Sequence, residues 1–149
     1  MNFVRDFFGN YILMCAVCGW FTAQILKFIV SLFRKEKLNY LTLLFSSGGM
    51  PSSHSAMVCA MMTVIGFHEG FASSVFALAF CFAGVTMYDA AGVRRSTGKN
   101  AAVINKMLDE LVHSGFVLNE ERLKELVGHT PIQVMAGALL GIFIGTLIA

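Results

Sequence analysis

The chain has 149 residues, of which 56% are apolar and 13% are charged. The apolar residues form long blocks rather than amphipathic periods, a composition that is typical of membrane proteins and argues against a soluble domain. A formal net charge of +2 gives no reason to expect nucleic acid as a partner. The four cysteines lie inside apolar blocks and are interpreted as small buried hydrophobes rather than disulfides or zinc ligands.

Three apolar blocks are long enough to cross a bilayer, which takes about 20 residues. They occupy residues 11–33, 71–89 and 131–149. A fourth block, 54–67, is shorter and is expected either to cross as a thin span extended back to Pro51 or to re-enter the membrane and turn back. The sequence therefore predicts one all-α integral membrane domain over residues 1–149, a bundle of about four transmembrane helices with a helical cytoplasmic loop.

Basic residues are concentrated in two predicted loops, 34–53 and 90–130, whereas the N-terminal tail has only Arg5. The positive-inside rule places both loops in the cytoplasm. Within the second loop, residues 100–113 carry apolar side chains at the spacing of one helix face, so a helix is expected on the rest of the protein or on the lipid headgroups. A second short helix is expected near 119–127.

A polar segment precedes the apolar block at 54–67. This segment, GGMPSSHSA at 48–56, has two glycines for a tight turn, and Pro51 suits the first position of a helix. Ser52 and Ser53 are expected to leave amide N–H groups and hydroxyls free at the helix N-terminus. Such a terminus attracts anions.

A second histidine repeats this arrangement at the start of the last block. In the segment GHTP at 128–131, Thr130 can cap a helix that begins at the proline. His54 and His129 therefore fall on the same predicted side of the membrane, beside the basic loop 90–130. A helix dipole opposes protonation of a nearby histidine, which favours neutral imidazoles fit for nucleophilic or base chemistry.

Other polar residues lie in or beside the apolar blocks, and each has two interpretations. Gln24 and Lys27 share a helix face, and Lys27 either extends to the interface or is paired within the membrane, where a charge is costly. Asp89 is either a helix-end residue paired with Arg94 or Arg95, or part of a functional site.

A glycine stripe marks the last apolar block. Gly137, Gly141 and Gly145 follow the spacing GxxxGxxxG and share one helix face. Such a stripe allows another helix to approach closely. It permits either packing within the chain or a homodimer.

Several motifs resemble those of a known superfamily. PSSH at 51–54 and GHTPIQVMAGALLG at 128–141 resemble the signatures of type-2 phosphatidic acid phosphatases and vanadium haloperoxidases. The fuller set, QxxK, GGMPSSHSA, YDAxGVRRxxGxxA, Asn105 and GHTPxQV, is similar to a divergent branch of that superfamily, which contains small bacterial and plant membrane proteins. The resemblance covers residues 20 to 145 and implies an integral protein of the bacterial cytoplasmic membrane.

The resemblance implies phosphoryl transfer by two histidines, without a metal or other cofactor. His129 would be the nucleophile that forms a phosphohistidine, and His54 would be the general acid that protonates the leaving oxygen. Lys27 would match the lysine of the first signature and bind phosphate. The other phosphate-binding residues would be Ser52, Ser53, Arg94 and Arg95.

Three departures from the superfamily pattern bear on these roles. Ser53 replaces the glycine of PSGH, so a side chain intrudes where the superfamily has none. The arginine expected six residues before the nucleophile falls on Leu123, which leaves Arg94 or Arg95, with Arg122 as a weaker candidate, to take its place. The aspartate that orients the nucleophile falls on Gln133.

This last departure affects the chemistry most. An amide cannot stabilise a developing imidazolium as a carboxylate does. Gln133 could still hold the ring of His129 in one orientation, or Asp89 could supply the missing charge.

Three functions compete. The first is a membrane phosphatase that removes phosphate from a phospholipid or polyprenyl (pyro)phosphate in the cytoplasmic leaflet. The alternative is a non-enzymatic membrane protein that binds or transports phosphorylated lipids in the same pocket, and Gln133 favours it. A haloperoxidase is disfavoured, because a short membrane-embedded chain is an unusual setting for peroxide and halide chemistry.

Overall fold

The computed structural model describes residues 2–33, 49–114 and 128–149. Regular secondary structure in these ranges is helical throughout, which confirms the predicted all-α membrane class. The elements are α1 (Phe3–Phe8), α2 (Tyr11–Phe33), α3 (Ser53–Glu69), α4 (Ser74–Tyr88), a π-helical turn (Asp89–Val93), α5 (Arg94–His113) and α6 (Pro131–Ile148). The short helix predicted near 119–127 lies outside the described residues, as does most of the predicted loop 34–53.

Local capping sets where the helices begin and end. Asn10 caps α2, because its side-chain oxygen accepts the N–H of Leu13 at 3.0 Å. Gly70, with φ at +87°, ends α3 in a conformation that favours glycine. Ser73 then caps α4 by accepting the N–H of Phe76 at 3.1 Å, so this helix begins three residues after the predicted block.

The central helix of the bundle is α3, which contacts α2, α4 and α6. Its C-terminal end lies at the start of α2, where the rings of Tyr11 and His68 are 5.1 Å apart. At the other end of α2, the segment leading into α3 brings Gly49 against the side chain of Lys27. Helix α3 therefore runs from one end of the bundle to the other, without a turn inside block 54–67.

Three helical stretches are long and apolar enough to cross a membrane, by length and composition. They are Tyr11–Phe33, Ser74–Leu111 and Pro131–Ile148. Helix α3 has 17 residues, which corresponds to about 26 Å at the rise of an α-helix and to the lower limit of a membrane span. The predicted bundle of about four helices thus consists of three full-length candidates around one short, central helix.

Small residues make the contacts between α3 and its neighbours. A Cβ atom added to Gly141 of α6 would contact the backbone oxygen of Ala56 and would lie 2.9 Å from the backbone nitrogen of Ala60. A Cβ atom at Gly145 would lie 2.6 Å from Cβ of Thr63. A Cβ atom at Gly19 of α2 would lie 2.9 Å from the backbone oxygen of Ala56. The predicted glycine stripe is therefore used inside the chain, and it does not supply the homodimer interface that the sequence permitted.

Large apolar side chains cover the outside of the bundle. Examples from α4 and α6 are Leu78, Val85, Ile132, Leu139 and Leu147, all of them exposed. An apolar surface of this kind is unfavourable in water but is matched by the acyl chains of a bilayer. The distribution of small residues inside and large residues outside agrees with a membrane-embedded bundle.

The predicted loop 90–130 begins as a helix. The chain continues from Tyr88 through the π-helical turn into α5, so the helix expected at 100–113 already begins at Arg94. Val103 and Met107 of its apolar stripe are exposed, whereas Asn105 on another face is buried. The sequence predicted that this stripe lies either on the rest of the protein or on the lipid headgroups. For these two side chains the first prediction is wrong, because they are exposed.

The substitution Gly141→Ala tests the close packing of α3 and α6. We expect it to lower the free energy of unfolding by about 1–3 kcal/mol, because the added methyl group meets backbone atoms that cannot move without separating the helices. Gly84→Ala is the control, since nothing lies within 4 Å of a Cβ at that position. Thermal unfolding in detergent, followed by the fluorescence of Trp20, measures both; equal midpoints would contradict the packing argument.

Candidate functional site

The starts of α3 and α6 lie side by side. The backbone N–H of Ser52 donates a hydrogen bond to the backbone oxygen of Gln133 at 3.0 Å. A Cβ atom at Gly137 would contact the backbone oxygen of Ser52, so the two chains approach as closely as glycine allows. The segments that hold the two predicted catalytic histidines are therefore joined directly, at one end of the bundle.

Ser52 has a structural role at this junction. It is the N-cap of α3, and its hydroxyl accepts the N–H of Ser55 at 3.4 Å and the hydroxyl of Ser55 at 3.1 Å. The expectation that its amide is free was wrong, because that N–H bonds to Gln133 across the helix interface. The prediction that Pro51 is the first residue of the helix was also wrong. Pro51 precedes the N-cap, and α3 begins at Ser53.

A reciprocal cap begins α6 and fixes the segment next to His129. The hydroxyl of Thr130 accepts the N–H of Gln133 at 3.4 Å, and the side-chain oxygen of Gln133 accepts the N–H of Thr130 at 2.9 Å. This arrangement is a capping box, which confirms Thr130 as the cap. His129 directly precedes the cap and is only 4% exposed. The amide oxygen of Gln133 is thus engaged in the helix start.

Lys27 is a buried cation. Its exposed fraction is 3%, although a lysine that extends to the interface would leave its ammonium group in water. The interface explanation for this residue is therefore wrong. A buried charge is strongly unfavourable unless it is paired.

The stem of Lys27 lies against the segment that leads into α3. A Cβ atom at Gly49 would be 3.1 Å from Cγ of the lysine and 3.2 Å from its Cδ. Gln24 and Ser31, on the same face of α2, are buried as well. The inward face of α2 is thus polar at the end where α3 and α6 begin. Ser31 was not predicted, but its position four residues after Lys27 would have placed it there.

His54 lies at the edge of this end rather than inside it. It is exposed, while its neighbours Ser53 and Ser55 are buried. The first turn of α3 therefore directs the serines inward and the histidine outward. Of the predicted catalytic pair, only His129 belongs to the buried part of the site.

The remaining predicted residues lie where α4 becomes α5. Asp89 is half-buried and is the first residue of the π-helical turn, which contacts α6. π-helical turns occur frequently at functional sites. Arg95 is exposed in the first turn of α5, and for Arg94 the structure describes only the backbone. Asn105, about three helical turns further along and part of the motifs noted in the sequence, is buried.

Metal binding has no basis in this part of the structure. Among residues 2–33, 49–114 and 128–149, no group of three or more histidines, cysteines, aspartates or glutamates could hold a metal ion. The site is instead built from helix starts, hydroxyl groups, a histidine and a lysine. Helix starts, hydroxyl groups and a lysine ammonium group are hydrogen-bond donors of the kind that anions accept.

Comparison with known proteins decides the family. The family model described as divergent PAP2 family matches residues 8–144. The chain belongs to the divergent PAP2 family. It is also 37% identical over 150 residues to a protein of Bacillus subtilis (strain 168) called uncharacterized membrane protein YuiD, and the match covers 94% of each chain. No solved structure matches the chain significantly.

Membership of the divergent PAP2 family confirms the resemblance noted in the sequence. The matched range contains every predicted site residue, from Lys27 to Gln133. The relative is also a membrane protein, which agrees with the apolar helices. A lysine is thus buried at the bundle end where α3 and α6 begin, although burial of a charge is costly.

The substitution Lys27→Met tests whether the ammonium group is buried at a cost. We expect it to raise the free energy of unfolding in phosphate-free detergent buffer by on the order of 1–3 kcal/mol, because methionine keeps the apolar stem and removes the charge. Lys99→Met, at an exposed position of α5, is the control and should change little. Unchanged or lower stability of Lys27→Met would mean that the lysine has a stabilising partner.

Proposed function

We propose that this protein is a membrane phosphatase that removes phosphate from a lipid phosphate or polyprenyl (pyro)phosphate. The observation that carries the proposal is the burial of Lys27, 3% exposed, at the bundle end where His129 is also buried. A buried cation needs a counter-ion, and the divergent PAP2 family is related to phosphatases. A phosphoryl group supplies the missing negative charge.

The surroundings of the lysine suit a phosphate. The starts of α3 and α6 have partial positive charge from their helix dipoles and favour an anion. The hydroxyl and amide groups of Ser53 and the hydroxyl of Ser52 are donors at the start of α3. Arg94 and Arg95 are the first two residues of α5, directly after the π-helical turn in the chain. These residues would neutralise the charge on the phosphate oxygens, which is most of what phosphoryl transfer requires.

The reaction would proceed in two steps. In the first step, a ring nitrogen of His129 attacks phosphorus, the bond from phosphorus to the lipid oxygen breaks, and His54 donates a proton to that oxygen. In the second step, water attacks phosphorus, the bond from phosphorus to the ring nitrogen of His129 breaks, His54 accepts a proton from the water, and inorganic phosphate leaves. The exposure of His54 supports this role, because it must exchange protons with water in every cycle.

The substrate would be a lipid of the cytoplasmic leaflet. A site at one end of a membrane-embedded bundle would lie near the lipid headgroups. The basic residues of the predicted loops favour the cytoplasmic side by the positive-inside rule. Apolar helices solvate diacyl and prenyl chains equally, so the phosphate is the recognised group.

A second candidate function is the binding or transport of phosphorylated lipids without hydrolysis. The capping box favours it: the side-chain oxygen of Gln133 accepts the N–H of Thr130 at 2.9 Å. Position 133 therefore offers His129 no carboxylate, and a histidine without one is a weaker nucleophile. The same buried lysine would serve this function, so the two candidates differ only in turnover.

Release of inorganic phosphate from a panel of lipid phosphates, by purified protein in detergent, separates the two candidates. We expect release by the native protein and its complete loss in His129→Ala. His54→Ala should slow hydrolysis of a lipid alkyl phosphate more than that of an aryl phosphate, because a good leaving group needs little protonation. His68→Ala is the control, since His68 lies at the opposite end of the bundle beside Tyr11. Equal losses on both substrates would argue against His54 as the acid.

The substitution Gln133→Glu tests the role of the missing carboxylate. Glutamate can keep the capping box, so α6 should remain intact. We expect turnover to rise, because a carboxylate would then lie close to His129 and could stabilise its positive charge. Slower hydrolysis would mean that Asp89 already has this role and that the second negative charge repels phosphate. Unchanged rates would mean that the side chain at position 133 does not contact His129.

A further inference from the structure

Gly49 has both a positive φ and a close contact with the side chain of Lys27. Its φ of +93° lies in the left-handed region, which side chains other than glycine rarely adopt. Its missing side chain also leaves room for the stem of Lys27: an added Cβ would lie 3.1 Å from Cγ, 3.2 Å from Cδ and 3.5 Å from Cε. The stem thus passes along the backbone of Gly49 from its second to its fourth carbon.

Gly70 shows that these features are separate. Its φ of +87° is nearly the same, but nothing lies within 4 Å of a Cβ at that position. At the turn between α3 and α4, only the positive φ favours glycine at position 70. At Gly49 the same backbone requirement is combined with contact to a functional side chain.

The segment that contains Gly49 is held in place. Three residues further on, the N–H of Ser52 bonds to Gln133 at 3.0 Å, and Gly137 meets the backbone oxygen of Ser52. These contacts fix the segment to α6. A side chain at position 49 would therefore displace the lysine stem rather than the backbone.

We propose that Gly49 is a positioning residue for Lys27, and that its backbone fixes the lysine stem so that the ammonium group meets the phosphate. This inference rests on the proposed function, because it takes phosphate as the ligand of Lys27. It adds a determinant of that site which acts through the lysine without touching the phosphate. The left-handed backbone and the lysine stem together require glycine.

The consequence is a loss of phosphate affinity when a methyl group is added. Charge-assisted hydrogen bonds depend on short distances and good alignment. A shift of the stem by a few tenths of an ångström or more, passed on to the end of a long side chain, weakens that bond. We expect Gly49→Ala to weaken binding of inorganic phosphate by about tenfold, the value of one such bond.

The experiment measures the thermal unfolding midpoint in detergent as a function of inorganic phosphate concentration, which gives the dissociation constant for each variant. Gly70→Ala is the matched control, because Gly70 has a similar positive φ at a site remote from the lysine. We expect native affinity in Gly70→Ala, a clear loss in Gly49→Ala and no binding in Lys27→Met. Native affinity in Gly49→Ala, with binding lost in Lys27→Met, would overturn the positioning role alone. Native affinity in Lys27→Met would overturn the proposed function.

A second variant keeps the test valid if Gly49→Ala unfolds. In the background Lys27→Ala the stem atoms beyond Cβ are gone, so Gly49→Ala should destabilise the protein no more than Gly70→Ala does. The same comparison with Lys27 present should give a larger effect of Gly49→Ala. Equal effects of Gly49→Ala in both backgrounds would show that the glycine serves the backbone alone, and would overturn the inference.

Discussion

A Cβ atom on Gly141 would contact the backbone oxygen of Ala56, and Gly137 and Gly145 meet α3 one turn to either side. Lipid offers no hydrophobic driving force between helices, so packing of this closeness is what holds two apolar helices together in a membrane. It also determines their relative height. With the glycines in register, the starts of α3 and α6 are level, and the N–H of Ser52 reaches the oxygen of Gln133.

Two level helix starts create the electrostatic character of the site. Each start has N–H groups without partners inside its own helix, equivalent to about half a positive charge. Lys27 adds a full positive charge that is 3% exposed. Like charges repel, so this arrangement is unfavourable by itself, and under the proposed function a bound anion would relieve the repulsion.

The long apolar helices could be predicted from the sequence because membrane thickness fixes their length. Helix α2 occupies 11–33 as predicted, and α6 ends one residue before the predicted block does. The start of α5 could not be found this way. The residues around Arg94 and Gly98 are polar and look like a loop, but the chain passes through them as a helix. The helix continues there because the chain runs on from α4 through the π-helical turn, which polar composition does not reveal.

The site was predictable in part. Lys27 and His129 were identified from the motifs, and both are buried as a ligand site requires. The exposure of His54 could not be foreseen, because the direction of a side chain on α3 depends on which faces meet the neighbouring helices. The role of Gln133 could have been found from the sequence: threonine followed three residues later by glutamine is a capping box. The superfamily pattern instead predicted that Gln133 orients the ring of His129.

The amide at position 133 connects the two candidate functions. A carboxylate there would activate His129, but it would also lower the positive potential that attracts phosphate. An amide leaves that potential intact, because the cap is kept without adding negative charge. Under the proposed function, glutamine at this position would therefore favour affinity for the anion over activation of His129. The balance between hydrolysis and binding of a phosphorylated lipid would then depend on how much charge Asp89 contributes near the π-helical turn.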